Sequence, residues 1–251
     1  MGALHAGHVS LVEIAKKRCN FVVASIFVNP TQFNNPDDLL KYPRILEKDI
    51  ELLEQAGCDA VFIPEEKEIY PDGRKVQSWD FGTISHVLEA HYRPGHFDGV
   101  LTVVKRLFEI VNPQLAFFGE KDFQQLSLIR KMTEQERLGI EIVSCPTVRE
   151  IHGLAMSSRN LRLTSAERIS SLNISKVLYE MKALRNRFLP HALSEYGKEK
   201  LSKAGGLKLE YLEIVDAESF EVIADWNAAS PIALVAAYAG DVRLIDNMRM
   251  T

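Results

Sequence analysis

The chain predicts an α/β fold, a doubly wound parallel sheet followed by a smaller α+β domain, and three features of the sequence carry that reading. Short continuous runs of β-branched and aromatic residues, FVVASIFV at 21–28, AVFI at 60–63 and QLAFF at 114–118, suit strands covered on both faces. Stretches with helical apolar spacing separate them, which is the alternation of βαβ units. Beyond residue 147 the pattern changes to long helices and then alternating strands, so the expected domains are 1–147 and 148–251.

The elements follow in order. Leu11, Ile14 and Ala15 form an apolar stripe that opens a first helix just after MGALHAGH at 1–8. The run 21–28 is the first visible strand, and NPTQFNNP at 29–36 is a loop marked by proline and asparagine. A helix over about 44–56 stops at Gly57, and a short strand at 59–64 follows. Residues 65–98 are expected to be irregular, with a turn at YPDG, 70–73. A helix over about 99–111 ends at Asn112-Pro113, and the strand at 114–118 runs straight into Gly119, Glu120, Lys121 and Asp122. That stretch, at a strand's C-terminal end and a helix's start, is where open parallel sheets bind ligands. A helix is expected from Lys121 and a fourth strand over 140–145.

The loop 148–160 mixes glycine, hydroxyls and arginine without any period; Met156 to Arg159 are expected at the mouth between domains and, having little to pack against except phosphate, to be mobile without a ligand. Thr164 and Glu167 spell a capping box that opens a helix to about 188. A second helix over about 190–203 and strands over 208–215, 232–238 and 242–245 complete the smaller domain.

Composition excludes several classes of function. With 46% hydrophobic and 25% charged residues the chain is an ordinary soluble globule, and its net charge of −4 gives no global attraction to nucleic acid. No stretch approaches the roughly 20 apolar residues of a membrane span, and the N-terminus lacks a signal-peptide core, so the expected location is the cytoplasm. Cys19, Cys58 and Cys145 lie far apart in or beside apolar runs, as buried free thiols do.

His5 and His8 lie three apart at the start of the first helix, so one face of its first turn carries both imidazoles. A helix start offers unpaired N–H groups and a positive dipole end, which match phosphate. The two histidines alone would equally suit a metal pair or a plain surface. Lys121 with its neighbours, and Ser157, Ser158 and Arg159, are two further clusters suited to phosphate. Gln32 and Gln125 are long neutral amides able to hold hydroxyls and a carboxylate.

Taken together, MGALHAGH at 1–8, FVNPTQF at 27–33, RPGHFDGV at 93–100, FFGEKDFQQL at 117–126 and MSSRN at 156–160 resemble the pantothenate synthetases, within the nucleotidyltransferases that carry an H-x-G-H-like signature. The resemblance implies a Rossmann-like sheet and a ligase that condenses pantoate with β-alanine. ATP and pantoate would form pantoyl adenylate and pyrophosphate, and β-alanine would then displace AMP. It further implies that Met1, Gly2, Ala3, Leu4, His5, Ala6, Gly7 and His8 line the ATP site, with His8 the candidate proton donor. Gly119, Glu120, Lys121 and Asp122 would hold ribose and phosphate, Val148 would touch the nucleotide, and Met156, Ser157, Ser158 and Arg159 would close over it. His5, His8, Lys121 and Arg159 would be the catalytic set. Gln32 and Gln125 would hold pantoate, and Gln32 would also meet β-alanine. Magnesium would accompany ATP, with Asp49 as its protein ligand, although Lys48 interrupts the pair of acids that some relatives carry there. A homodimer is implied as well.

Two rival readings stand beside this one: another H-x-G-H nucleotidyltransferase, and a nucleotide-binding remnant without catalysis. In a doubly wound fold the first phosphate loop follows a central strand, whereas this chain begins at the loop. The runs 21–28 and 114–118 are therefore expected to flank an unfilled position, with a strand and its helix, about 20–40 residues at typical element lengths, lying upstream.

Overall fold

The structure, a computed structural model, describes residues 2–34, 36–227 and 230–251. It divides into two compact units, Met1–Pro146 and Thr147–Thr251.

In the first unit α1 (Ala6–Lys16) leads to β1 (Val23–Ser25), and after the short α2 (Pro36–Leu40), α3 (Leu46–Gln55) leads to β2 (Ala60–Phe62). β1 and β2 pair in parallel, Val23 opposite Ala60 and Ser25 opposite Phe62. The segment expected to be irregular holds two helices of four residues, α4 (Glu66–Ile69) and α5 (Glu89–Tyr92), too short to print a helical period in the sequence. α6 (His96–Val111) begins three residues earlier than its apolar stripe, inside the RPGHFDGV motif, and ends at Asn112 in the left-handed conformation. β3 (Leu115–Gly119) is followed by a 3₁₀ turn over Glu120–Asp122, and only then by α7 (Phe123–Gln135). β4 (Glu141–Cys145) pairs with β3 in parallel.

The parallel sheet is thus present as two pairs, β1 with β2 and β3 with β4. Between them lies an apolar cleft of about 280 Å³, lined by Val23, Ser25, Leu11, Val104, Phe117 and Phe118 among others. The two runs, 21–28 and 114–118, both contribute to its walls. β1 is only three residues long where the sequence offers eight, and it has a ladder on one edge alone. Val12, Ala15, Val22, Ile26 and Leu53 form a small core beneath it, joining α1, α3 and the ends of β1.

The second unit is built around one continuous core. α8 (Ser165–Leu184) and α9 (Pro190–Lys203) pack on a three-stranded antiparallel sheet of β5 (Leu207–Asp216), β6 (Pro231–Ala239) and β7 (Val242–Arg249), in the order β5-β6-β7. The capping box opening α8 is formed as read. Thr164 N–H donates to Glu167 Oε2 at 2.8 Å, and Glu167 N–H donates to Thr164 Oγ1 at 3.3 Å. Leu178, Met181, Leu193, Leu201, Leu212 and Val235 are fully enclosed at the centre. Cys145 is buried, Cys19 and Cys58 are partly buried, and all three are free thiols. No helix among the described residues is long and apolar enough to cross a membrane.

Candidate active site

The two histidines form the start of α1. His5 is the N-cap: its Nδ1 accepts the N–H of Gly7 at 3.1 Å, while its own N–H donates to His8 Nδ1 at 3.3 Å. The rings lie 4.0 Å apart between centroids. A ring nitrogen that accepts from a backbone N–H carries no proton, so both imidazoles keep their proton on Nε2. Burial holds His8 well below the usual histidine range, and the charges of His5 and Lys121 depress it further. His8, the candidate proton donor, is thus held toward its neutral form, with Nδ1 turned onto the backbone N–H of His5.

The loop before α1 is held from beneath by Asp49 of α3, which is 1% exposed. Ala3 N–H donates to its Oδ2 at 2.7 Å and Leu4 N–H to its Oδ1 at 2.6 Å. Gly2 has φ +98°, and a Cβ there would stand 3.2 Å from Asp49 Oδ2, so the position accepts only glycine without strain. Ala3 is also left-handed, at φ +51°, a conformation that costs a residue with a Cβ about 1–2 kcal/mol. Met1 lies outside the described residues. Asp49 was expected on magnesium, yet both of its oxygens are taken by the loop. Among the described residues no three His, Cys, Asp or Glu side chains gather as a metal set.

Gly119, Glu120, Lys121 and Asp122 sit at the C-terminal end of β3 and in the turn that follows it, all partly buried. α1 packs against β3, and the Lys121 charge adds a small part to the lowering at His8. Gln125, in the first turn of α7, is partly buried, and its amide has no hydrogen-bond partner among the described residues. Its neighbour Gln124 is structural, donating to Ile84 O and Val87 O and accepting the N–H of Glu89.

Gln32 is positioned by residues that the sequence reading did not single out. Its carbonyl accepts from His96 Nδ1 at 2.7 Å, and its Oε1 accepts from Asn29 Nδ2 at 3.2 Å. Arg93 donates to His96 Nε2 at 2.9 Å, which leaves the His96 proton on Nδ1, facing Gln32. Asn29 is 1% exposed and also receives the hydroxyl of Tyr70 at 2.7 Å. Gly99 brings α6 against this loop, since a Cβ there would lie 2.5 Å from Thr31 O. The signal was present in the FVNPTQF and RPGHFDGV motifs, which contain Asn29, Arg93, His96 and Gly99. What it lacked was a reason to pair them.

In the second unit, residues 148–156 double back on themselves. Met156 N–H donates to Val148 O at 3.0 Å, and Arg149 bridges Ala155 across the turn. Ser157 caps a 3₁₀ turn over Ser158–Arg162 by accepting the N–H of Arg159. The expectation that this loop has little to pack against is corrected: Ser158 is 6% and Asn160 3% exposed. Asn160 Nδ2 donates to Glu150 Oε1 at 2.9 Å, and Arg168 ties Glu150 to the carbonyl of Asn160. Met156, Ser157 and Arg159 are partly buried at its rim.

Comparison with known proteins gives one result throughout. The family model described as pantoate-beta-alanine ligase matches residues 1–249. A pantothenate synthetase of Porphyromonas gingivalis is 46% identical over 99% of this chain and 89% of its own length. One from Phocaeicola vulgatus is 47% identical over the same shares. Among solved structures, pantothenate synthetase from Thermus thermophilus superposes with a TM-score of 0.95 at 41% identity, covering 100% of this chain and 91% of the other. Pantoate-beta-alanine ligase from Francisella tularensis, complexed with beta-gamma ATP and beta-alanine, gives 0.82 at 38%, covering 100% and 87%.

Proposed function

The chain belongs to the pantoate-beta-alanine ligase family, and from that premise we propose how its residues divide the work of joining pantoate to β-alanine at the expense of ATP. The matches do not favour either rival, a different nucleotidyltransferase or an inactive remnant.

The observation that carries the reading is the reciprocal histidine pair at the start of α1, in which Gly7 N–H donates to His5 Nδ1 and His5 N–H donates to His8 Nδ1, so that both rings are fixed on the backbone where the helix begins. Attack of the pantoate carboxylate on the α-phosphate of ATP needs alignment and charge stabilisation rather than a covalent nucleophile. His5 and His8 donate to phosphate oxygens, and His8, being neutral, gains most as negative charge builds in the transition state. Lys121 neutralises the α-phosphate, and Gly119, Glu120 and Asp122 hold the ribose and phosphate side of the nucleotide. Gly2, Ala3, Leu4, Ala6 and Gly7 bring backbone close to it. Val148, Met156, Ser157, Ser158 and Arg159 are the second unit's nucleotide loop, Arg159 supplying a guanidinium for the phosphates. Gln125 and Gln32 hold pantoate, and Gln32 meets the β-alanine amine that then attacks the acyl carbonyl and releases AMP.

Magnesium belongs to this reading as a companion of the triphosphate, neutralising its charge while keeping mostly water and phosphate oxygens as ligands. The reading extends, on family resemblance, to a homodimer in the cytoplasm. Its test is an assay of the purified chain with ATP and pantoate, which should release pyrophosphate and accumulate pantoyl adenylate, and yield pantothenate once β-alanine is added. Pyrophosphate release that ignores pantoate but responds to a nucleoside monophosphate would reject it.

A further inference from the structure

We infer that Asp49 is a positioning residue for the adenylation step, fixing the backbone of residues 2–5 so that His5 and His8 meet the phosphates. The inference rests on the reading of that histidine pair as the phosphate site.

The geometry is specific. One carboxylate serves two consecutive backbone donors, Ala3 N–H on Oδ2 and Leu4 N–H on Oδ1, each at a distance typical of charge-assisted bonds. The two residues ahead of Leu4 both have positive φ, Gly2 at +98° and Ala3 at +51°, and backbone of that kind persists only where its surroundings over-determine it. His5 follows directly in extended conformation and begins the reciprocal pair with His8. Leu4, gripped by the carboxylate, is thus the immediate neighbour of the N-cap. Asp49 is itself rigid: its N–H is bonded to Ile45 O at 3.0 Å, and Leu53, one helical turn on, is 2% exposed in the core shared with Val12 and Ala15 of α1. α3 and α1 are therefore braced together, and Asp49 transmits that brace to the loop.

Removing the acceptor would leave two N–H groups aimed into buried space, and Ala3 would relieve them by leaving the left-handed region. That rotation propagates to His5, so the loss falls on alignment of the reacting phosphate. A cation on the same carboxylate would use lone pairs that the two N–H groups leave over, and its contribution would vary with metal concentration whereas the clamp's would not, which separates the two roles in an experiment.

The test is Asp49→Asn in the full chain, whose amide can accept one of the two N–H groups but turns an NH₂ toward the other. The expected result is a fall in kcat for pantoyl adenylate formation of about 100-fold, as for an ångström-scale misplacement, with KM for pantoate and the magnesium concentration giving half-maximal rate unchanged. Amide exchange at Ala3 or Leu4 should quicken. A folded variant with wild-type kcat overturns the inference, and so does a deficit repaired by raising magnesium, which makes Asp49 a cation ligand. If the variant does not fold, the wild-type chain decides: protected Ala3 and Leu4 amides support the clamp, and exchange at solvent rates overturns it. A wild-type chain that forms no pantoyl adenylate would reject the assigned function while leaving the exchange measurement free to judge the clamp.

Discussion

β1 and β6 are the two extremes of this molecule. The three residues of β1 run exposed, intermediate, exposed, whereas β6 is buried at every position but one. β6 has a partner on each edge, β5 and β7, and helices over its face, so it retains little freedom and little access. β1 has one partner and borders a cleft. The difference shows where each unit places its free energy. The second unit concentrates apolar burial in one continuous core. The first fully encloses Leu101, Leu126, Ile129 and Met132 of α6 and α7, yet it leaves the small cluster beside β1 under a loop with left-handed backbone whose polar groups are engaged one by one.

The largest effect should follow from opening the core of the second unit. Leu178→Ala removes a fully enclosed side chain that touches both helix and sheet neighbours, and it should cost about 2–5 kcal/mol in chemical denaturation. A truncation at exposed Val23 of β1 should stay within about 0.5 kcal/mol. Comparable losses at the two positions would erase the contrast.

His8→Ala should do the reverse, leaving stability nearly intact while slowing adenylation by roughly 100-fold, about 3 kcal/mol of barrier, with ATP binding little changed. Turnover at the wild-type rate would remove His8 from the chemistry. The same residue predicts a pH dependence. Its folded pKa is depressed below the ordinary histidine value of 6.5, so below that pH the unfolded chain binds a proton that the native one resists. Its contribution is therefore complete above about 6.5 and is lost as pH falls from there toward the lowered value. Denaturation curves of wild type and His8→Gln between about pH 7 and 5 check this, and parallel losses in the two would contradict it.

A smaller effect should come from the α7 amides. Gln125→Ala should raise KM for pantoate about tenfold, the range for a lost polar contact of about 1.4 kcal/mol, with ATP affinity unaltered. Gln124→Ala should instead lower the melting temperature, because its side chain ties α7 to Ile84, Val87 and Glu89. Identical behaviour of the two variants would mean that neighbouring positions on one helix turn are not separated as the structure has them.

Much of the architecture was legible because it is local. The runs 114–118 and 140–145 became β3 and β4 within a residue or so, and Thr164 with Glu167 marked the start of α8 to the residue, since capping chemistry acts within one turn. The candidate site was legible at His5, His8, Lys121 and Gln125 because each lies at a strand end or helix start, where backbone groups are unpaired. Four-residue helices such as α4 escaped because a single turn carries no periodicity.

What the sequence alone could not give was the identity of partners distant in the chain. Nothing local says that Asp49 reaches Ala3 and Leu4, 46 and 45 residues away, or that His96 holds Gln32 across 64. A carboxylate reads the same in sequence whether it faces solvent, a cation or two backbone donors. Likewise, adjacent glutamines on one helix differ only in which way each side chain points. Sequence determined the elements, their order and the residues able to meet a phosphate. Tertiary structure decided which of those residues brace and which remain open to a ligand, because burial and hydrogen-bond satisfaction depend on what the fold packs against each side chain.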